Sequence, residues 1–286
     1  MPFPNYHTHS SYCDGIGTPR QIVEQAVALE MPAIGLSSHA PLPFPTEWTM
    51  TKENVPEYCA EIRELQAEFK DRIRVLLGLE IDYMPGLIAP NDKKFDPLKL
   101  DYRIGAVHFI ARFHDGRHWM IDSPRRWEEG FQRIFEGNIL RVVSVYYSLV
   151  KRMVAGKGFD ILAHFDVIKL NNGKGIYFSE DEDWYRRLVR DTLAVVAKSG
   201  VIVEVNVGGI VRGKVDAPYP SRWILEICRE LRIPVTISAD AHKPEMLLDG
   251  FADAARMLLD VGYREIMVLG DEGWVARPFT ADGVDW

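Results

Sequence analysis

The sequence predicts a distorted, TIM-like β/α barrel of seven or eight units, with the functional site at the carboxyl ends of its strands. Continuously apolar runs alternate with amphipathic segments along the chain, as in parallel strands covered on both faces. The length of 286 residues suits one such barrel, so we expect residues 1–286 to form a single domain. A doubly wound open sheet is the alternative fold, although no G-x-G-x-x-G or Walker sequence supports a nucleotide-binding version of it.

The predicted elements follow one another from the first residues to the last. Residues 2–7 form a short strand, and Thr18 and Pro19 supply the N-cap and the first-turn proline of helix 18–31. The further predicted strands are 33–38, 73–81, 101–110, 160–165, 201–206, 234–240 and 264–269. The further predicted helices are 53–70, 125–155, 184–200, 221–232 and 244–262. This alternation supplies the strand–helix units from which a barrel is built.

The composition argues against several classes of protein. The chain has 34 Lys and Arg against 41 Asp and Glu, a formal net charge of −7, which disfavours nucleic-acid and membrane-surface partners. No apolar run reaches the roughly 18 residues of a membrane span. Cys13, Cys59 and Cys228 are odd in number and widely spaced, as in a reducing compartment, so we expect a cytoplasmic protein. The oligomeric state stays open, with a homodimer allowed.

Side chains that can bind a metal lie at six predicted strand ends. They are His7, His39, Glu80, His108, His164, and the pair Asp240 and His242. In a β/α barrel the carboxyl ends of the strands converge on one face, so these side chains are expected to meet there. A single buried histidine would be read as an ordinary core residue, but the whole set at the strand ends indicates one shared site.

Two neighbours of these residues complete the candidate set. His9 points to the same side as His7, because residues i and i+2 share a strand face. Asp14 is the ninth candidate, although its Asp-Gly sequence equally fits a turn. Imidazole and carboxylate donors without thiolate suit Zn, Mn or Fe. Nine donors exceed the needs of one ion, so two or three divalent ions are expected, with Glu80 as the bridging carboxylate.

The order of these motifs resembles the polymerase and histidinol phosphatase (PHP) superfamily over nearly the whole chain. The superfamily pattern is H-x-H-x4-D, then strand-end His, Glu, His and His, and finally D-x-H. A narrower resemblance is to the histidinol-phosphatases of this superfamily. It rests on HAPLPF (39–44), GLEIDY (78–83), FDPLKLDYRIGAVHFI (95–110) followed by MIDSP, AHFDVIK (163–169), EVNVGGIVRG with YPS (219–221), and ADAHKPEM (239–246).

The resemblance implies three ion sites and a reaction. The implied ligand sets are His7, His9, Glu80 and Asp240; Glu80, His108 and His164; and Asp14, His39 and His242. The implied activity is hydrolysis of L-histidinol phosphate to L-histidinol and phosphate in histidine biosynthesis, by attack of a metal-bound hydroxide. The alternatives are a phosphatase or phosphodiesterase for another small phosphoester or a nucleotide, and a non-catalytic metal-binding module. No G-x-S-x-G nucleophile elbow or cysteine-centred loop supports covalent catalysis.

The sequence also departs from the family pattern near the substrate. Ser38 replaces the usual Asp before the histidine, residues 204–209 read EVNVGG, and Val211 occupies the place of the first of two expected arginines. We expect these changes to alter the substrate pocket more than the metal site, and we take Ser37 and Ser38 for loop residues.

Several polar residues are candidates for roles around the metal site. Arg212 and Lys169 are the candidate phosphate contacts, and Asp122 is the candidate partner for the cationic groups of histidinol. Glu204 and Asn206 share a strand face and are expected to orient metal ligands. His114 and His118 are expected at the surface.

Overall fold

A curled parallel sheet forms the centre of the computed structural model, which describes residues 1–286. The strands are β1 (Ala33–Leu36), β2 (Arg74–Asp82), β3 (Tyr102–Ala106), β4 (Phe109–Arg112), β5 (His118–Met120), β6 (Ile161–Leu162), β7 (Ile202–Asn206), β8 (Val235–Ser238), β9 (Glu265–Gly270), β10 (Gly273–Thr280) and β11 (Gly283–Val284). Six strands pair in parallel in the order β1-β2-β3-β6-β7-β8. This order follows the chain without reversal, as in a barrel and not as in a doubly wound sheet.

Residues 5–9, which we call the closing segment, join the two edges of this sheet. Asn5 pairs in parallel with Ile34 of β1, and Thr8 pairs in parallel with Ala241, just beyond β8. Backbone hydrogen bonds hold the segment on both sides. The predicted first strand is therefore reduced to two bridges, yet it connects the first and last strands. The predicted distorted β/α barrel is confirmed.

Helices lie between the strands. They are α1 (Pro19–Ala28), α2 (Val55–Phe69), α3 (Pro124–Arg133), α4 (Ile139–Gly156), α5 (Asp183–Val196), α6 (Gly208–Val211), α7 (Arg222–Glu230) and α8 (Phe251–Val261), with 3-10 helices at Lys93–Leu98, Val167–Asn172 and Pro244–Met246. Thr18 caps α1 as predicted, because its hydroxyl accepts from the Gln21 N–H and the Gln21 side chain accepts from the Thr18 N–H. None of the helices combines the length and apolarity that crossing a membrane requires.

Two predicted elements are divided in the structure. The predicted strand 101–110 separates into β3, which belongs to the barrel, and β4, which pairs antiparallel with β5. The predicted helix 125–155 separates into α3 and α4. The break lies at Glu136 and Gly137, whose φ angles of 54° and 72° are left-handed and cannot continue a right-handed helix.

The predicted strand 264–269 forms outside the barrel. It corresponds to β9, which pairs antiparallel with β10, and β10 in turn pairs with β11. The N–H of Leu269 donates to the hydroxyl of Tyr6 at 2.9 Å, which attaches this small sheet to the closing segment. The barrel therefore consists of six strands and the closing segment, and β9 is not its eighth strand.

Two tyrosines fill the inside of the barrel. Tyr6 and Tyr102 belong to a cluster of 10 buried residues, and their rings pack edge to face with centroids 5.9 Å apart. A Cβ at Gly78 would lie 2.4 Å from the Tyr102 ring, and one at Gly35 would lie 2.2 Å from its hydroxyl. Glycine on the two neighbouring strands therefore makes room for the ring. A larger cluster of 74 buried residues contains the opposite faces of these strands and the apolar faces of the helices.

Candidate metal centre

The fold gathers all nine candidate ligands at one end of the barrel. His7 and His9 lie on the closing segment, Asp14 lies in the turn after it, His39 follows β1, Glu80 lies in β2, His108 follows β3, His164 follows β6, and Asp240 and His242 follow β8. His39 is also paired in parallel with Glu80, which brings these two side chains together. Six separate segments deliver their side chains to one place, as the strand-end argument predicts.

The carboxylate of Glu80 occupies the middle of this group. Glu80 is only 1% exposed. Five imidazole nitrogens lie within 4 Å of its oxygens: His39 Nδ1 at 2.7 Å, His164 Nε2 at 3.1 Å, His7 Nε2 at 3.4 Å, His9 Nε2 at 3.6 Å and His108 Nε2 at 3.7 Å. One carboxylate is thus within reach of five histidines from four segments, the position that a bridging ligand occupies.

The donor atoms separate into three clusters. Each cluster has one donor atom per residue, all within 4.8 Å of one another: His9, Asp14, His39 and His242; His7, His9 and Asp240; and Glu80, His108 and His164. The third cluster is the same as one ligand set that the resemblance implies, and the second contains three of the four residues of another, without Glu80. In the first cluster His9 joins the three expected residues, because its Nδ1 lies 3.8 Å from the Asp14 carboxylate.

Unpartnered atoms in this group fit a divalent cation. His7 Nε2, His9 Nε2, His39 Nδ1 and Glu80 Oε2 are buried and make no hydrogen bond of good geometry, although His39 Nδ1 lies 2.7 Å from Glu80 Oε2. Buried polar atoms are almost always hydrogen-bonded, so four exceptions in one group indicate a ligand. Divalent cations would accept these lone pairs, and imidazole with carboxylate is the donor set that Zn, Mn and Fe take. The residues therefore fit a divalent-metal site.

Electrostatics place key donors in the protonation states that metal binding requires. Burial raises the pKa of Glu80, but the charges of His39 and His7 and a hydrogen bond from His164 lower it well below its ordinary value. Burial, with the charges of neighbouring His39 and His242, lowers the pKa of His9 to about 3. An ionised Glu80 and a neutral His9 are both ready to donate electron pairs.

Two carboxylates orient the ligand histidines from behind. Glu204 Oε2 lies 2.9 Å from His7 Nδ1, and Asp82 Oδ1 lies 2.9 Å from His108 Nδ1. Burial lowers the pKa of His108, but the charge and hydrogen bond of Asp82 raise it well above its ordinary value. A carboxylate at Nδ1 fixes that proton in place and leaves Nε2 facing the centre.

The role expected for Glu204 and Asn206 agrees with their contacts. Glu204 Oε1 accepts from the His164 N–H at 2.8 Å and from Asn206 Nδ2 at 2.8 Å. Asn206 Nδ2 also lies 3.4 Å from Asp240 Oδ2. These two side chains of β7 therefore connect three candidate ligands.

Two candidate ligands have strained backbones. The φ angles of His164 and Asp240 are 22° and 49°, in the left-handed region that non-glycine residues rarely adopt. The hydrogen bond from the His164 N–H to Glu204 helps to hold the backbone of His164 in this conformation. The hydrogen bond from Arg212 to the carbonyl of Asp240 helps to hold the backbone of Asp240. Strain of this kind concentrates at functional sites.

The donors open onto a pocket of about 240 Å³. Beside the donors, its wall includes Trp48, Asp122, Arg212, Lys214 and Tyr219. Asp122 Oδ1 is buried without a hydrogen-bond partner, so this oxygen is available to a cationic group of a ligand. Negative and positive side chains thus share the wall of one pocket.

Arg212 is tied to the candidate ligand Asp240. Its Nη2 donates to Asp240 Oδ2 at 2.9 Å, and its Nη1 donates to the Asp240 carbonyl. A Cβ at Gly208 would lie 2.8 Å from the guanidinium, so a glycine is needed for Arg212 to reach this position. Burial raises the pKa of Asp240, but Arg212 and His7 lower it well below its ordinary value.

The expectation that Lys169 contacts phosphate needs correction. Its ammonium donates to Asp166 Oδ2 at 2.9 Å, to the Pro218 carbonyl at 2.7 Å and to Ser221 Oγ at 2.6 Å. These bonds use all three of its protons, and Lys169 is buried outside the pocket wall. The 3-10 helix Val167–Asn172 turns the side chain back onto Asp166, so Lys169 fixes the loop that carries Tyr219.

Two other expectations are also changed. Ser37 and Ser38 follow β1 outside regular secondary structure, as expected, but they are buried: Ser37 Oγ accepts from the Thr8 N–H of the closing segment, and Ser38 Oγ bonds to Ser10, the residue directly after it. Ser38 therefore acts in barrel closure and not in the substrate pocket. His114 is exposed as expected, whereas His118 is half-buried and stacks on Phe44.

Sequence reasoning missed four residues of the site. Asp82 lies two residues after Glu80 on β2, and this i, i+2 spacing could have identified it. Trp48, Lys214 and Tyr219 lie on loops, where no periodic signal marks the residues that turn inward.

The model of the PHP domain family matches residues 5–208, and the chain belongs to that family. Its similar relatives are histidinol-phosphatases. A probable histidinol-phosphatase of Deinococcus radiodurans is 32% identical over 263 residues, which cover 91% of this chain and 94% of the relative. The histidinol-phosphatase of Bacillus subtilis is 26% identical, over 83% of this chain and 92% of the relative.

A solved structure supports the same fold. The histidinol phosphate phosphatase of Lactococcus lactis, complexed with zinc, L-histidinol and phosphate, aligns with a TM-score of 0.63 at 20% identity. The alignment covers 99% of both chains. At this identity the agreement establishes the fold, which has the barrel described above.

We predict that Asp82→Asn weakens metal binding by about 10- to 100-fold, because the substitution removes the charge that orients His108. Competition with a colorimetric zinc chelator measures the affinity. The matched control is Asp160→Asn, which alters a carboxylate that binds Trp274 and the Arg103 N–H away from the donors. Equal zinc affinities in Asp82→Asn and the unaltered protein would contradict the role assigned to Asp82.

Proposed function

We propose that this protein is a histidinol-phosphatase, which hydrolyses L-histidinol phosphate to L-histidinol and phosphate. The proposal includes two or three divalent ions, Zn, Mn or Fe, bound by the nine donors around Glu80. The observation that carries it is the convergence of three donor clusters on one pocket that also exposes Arg212 and Asp122. The relatives' shared activity supports the choice of substrate.

The chain's own residues prepare the site for a phosphomonoester. Divalent ions in such a site supply Lewis acidity, which lowers the pKa of water and polarises phosphoryl oxygens. Glu204 and Asp82 hold His7 and His108 in the orientation that turns Nε2 toward Glu80. Arg212 lies at the pocket wall with its guanidinium beside Asp240, where it can offer a charged donor to a phosphate oxygen.

The opposite charge in the pocket suits the leaving alcohol. L-Histidinol carries an ammonium group and an imidazole, and the pocket wall includes Asp122, one carboxylate oxygen of which is buried without a hydrogen-bond partner. An ion pair in a partly desolvated pocket is stronger than one in water. Asp122 therefore binds the cationic end of the substrate while Arg212 binds the phosphate end. Lys214, also on the wall, is a second cation for the phosphate end.

The direct test is phosphate release from a panel that contains L-histidinol phosphate, p-nitrophenyl phosphate and bis-p-nitrophenyl phosphate. We expect L-histidinol phosphate to give the highest kcat/KM, because it alone offers a cation to Asp122. Dialysis against a chelator should abolish release, and added Zn or Mn should restore it. Much faster hydrolysis of another monoester, or hydrolysis of the diester alone, would show that histidinol phosphate is not the substrate.

Arg212→Ala should lower kcat/KM on histidinol phosphate by about 10- to 150-fold, since a hydrogen bond to a charged group contributes about 1.5–3 kcal/mol. Arg212→Lys should recover part of the activity because the positive charge remains. The recovery should be incomplete because lysine lacks the two parallel N–H donors of the guanidinium. Metal content, measured on the same samples, should be retained in both variants. Full metal content with unchanged kcat/KM in Arg212→Ala would show that the phosphate is held by other groups. Loss of metal would instead assign Arg212 to holding Asp240.

A further inference from the structure

A second groove adjoins the metal pocket. It has a volume of about 830 Å³ and lies between the loop 44–48 and the hairpin of β4 and β5. Trp48 and Met120 line both the groove and the metal pocket, so the two spaces lie side by side at these two side chains. A molecule held by its phosphate in the pocket can therefore extend past these two side chains into the groove.

Flat rings form one side of this groove. Phe44 stacks on His118 with centroids 4.5 Å apart and planes at 15°, and Trp48 stacks on Phe109 with centroids 6.0 Å apart and planes at 23°. Burial and the neighbouring Arg112 lower the pKa of His118, so its ring is neutral at pH 7. Neutral stacked rings favour an aromatic ligand.

Arginines also line the groove. Arg112, Arg117, Arg125 and Arg126 line the groove, against only Glu47 and Asp115. Arg117 is occupied by Asp115 and Glu129, with contacts of 2.9 and 2.8 Å. Arg125 and Arg126, in the first turn of α3, are exposed and form no ion pair. This local positive excess occurs in a chain whose net charge is −7.

The positive charge of the groove disfavours binding of histidinol there, because arginines without ion pairs would repel its ammonium group. We propose that the groove binds an aromatic group that carries a second anion, and that the enzyme therefore also hydrolyses phosphomonoesters whose leaving alcohol has both features. This inference rests on the proposed function, because the phosphate to be cleaved must occupy the metal pocket. The rings bind the aromatic group, and Arg125 and Arg126 bind the second anion.

The reaction is the same hydrolysis with a different alcohol. Water supplies the oxygen that forms the new bond to phosphorus, and the bond between phosphorus and the ester oxygen breaks. A proton from that water ends on the ester oxygen, which leaves as the alcohol or phenol, and inorganic phosphate is the other product. No oxidant, reductant or further reactant is needed.

The test uses two esters that differ by one charge. N-Acetyl-O-phospho-L-tyrosine has a carboxylate, and its amide is neutral at that position. We expect the unaltered enzyme to prefer the carboxylate ester by about fivefold in kcat/KM, the effect of exposed charge contacts of ordinary strength. The Arg125→Ala/Arg126→Ala variant should lose this preference. The control variant Arg187→Ala/Arg190→Ala removes the same charge from α5, outside the groove, and should keep it.

Each contrary result has a distinct meaning. If the enzyme hydrolyses histidinol phosphate but does not prefer the carboxylate ester to its amide, the proposed role of the groove is contradicted and the proposed function is unaffected. A preference that survives loss of both groove arginines also contradicts that role. An equal, salt-dependent loss on all substrates in both variants would indicate steering by net charge and would overturn it too. If histidinol phosphate is not hydrolysed, the proposed function fails, and calorimetric binding of the acid and the amide still decides whether the groove prefers the anion.

Discussion

The buried carboxylate of Glu80 is the constraint on which the rest of the site depends. A carboxylate removed from water costs several kcal/mol unless cations or hydrogen bonds compensate it. Here five histidines from four segments surround it, and four buried atoms in the group make no hydrogen bond of good geometry. A divalent cation compensates the carboxylate and lets the imidazoles stay neutral. Metal binding and the folded arrangement of this end of the barrel are therefore coupled.

Barrel closure makes this arrangement attainable. His7 and His9 lie on the closing segment, which pairs with the first strand on one side and with the residues after the last strand on the other. Closing the ring therefore also brings these two histidines to Asp240. The hydroxyls of Ser37 and Ser38 bond to Thr8 in the closing segment and to Ser10 directly after it, so residues outside the donor set help to position the two histidines. In this member of the PHP domain family, the fold and the site are formed by the same contacts.

Much of this could be predicted from the sequence. The barrel followed from apolar runs that alternate with helices, and eight of the nine candidate ligands followed from strand ends and i, i+2 spacing, whereas Asp14 depended on the family resemblance. Side chains on loops could not be predicted in the same way. Lys169 was expected to bind phosphate, yet a 3-10 turn directs it to Asp166. The groove could not be foreseen either, because Phe44, Trp48 and Arg125 come from segments that are distant along the chain and meet only after folding.

The most direct measurement of the central claim is anomalous X-ray diffraction from crystals of protein that was purified without chelators, recorded at the absorption edges of zinc, manganese and iron. The account predicts two or three peaks within the donor clusters, with one of them beside Glu80 and between His108 and His164. Crystals of an active enzyme without any anomalous peak among these donors would contradict the account, because the buried carboxylate and its histidines would then be balanced by protons alone.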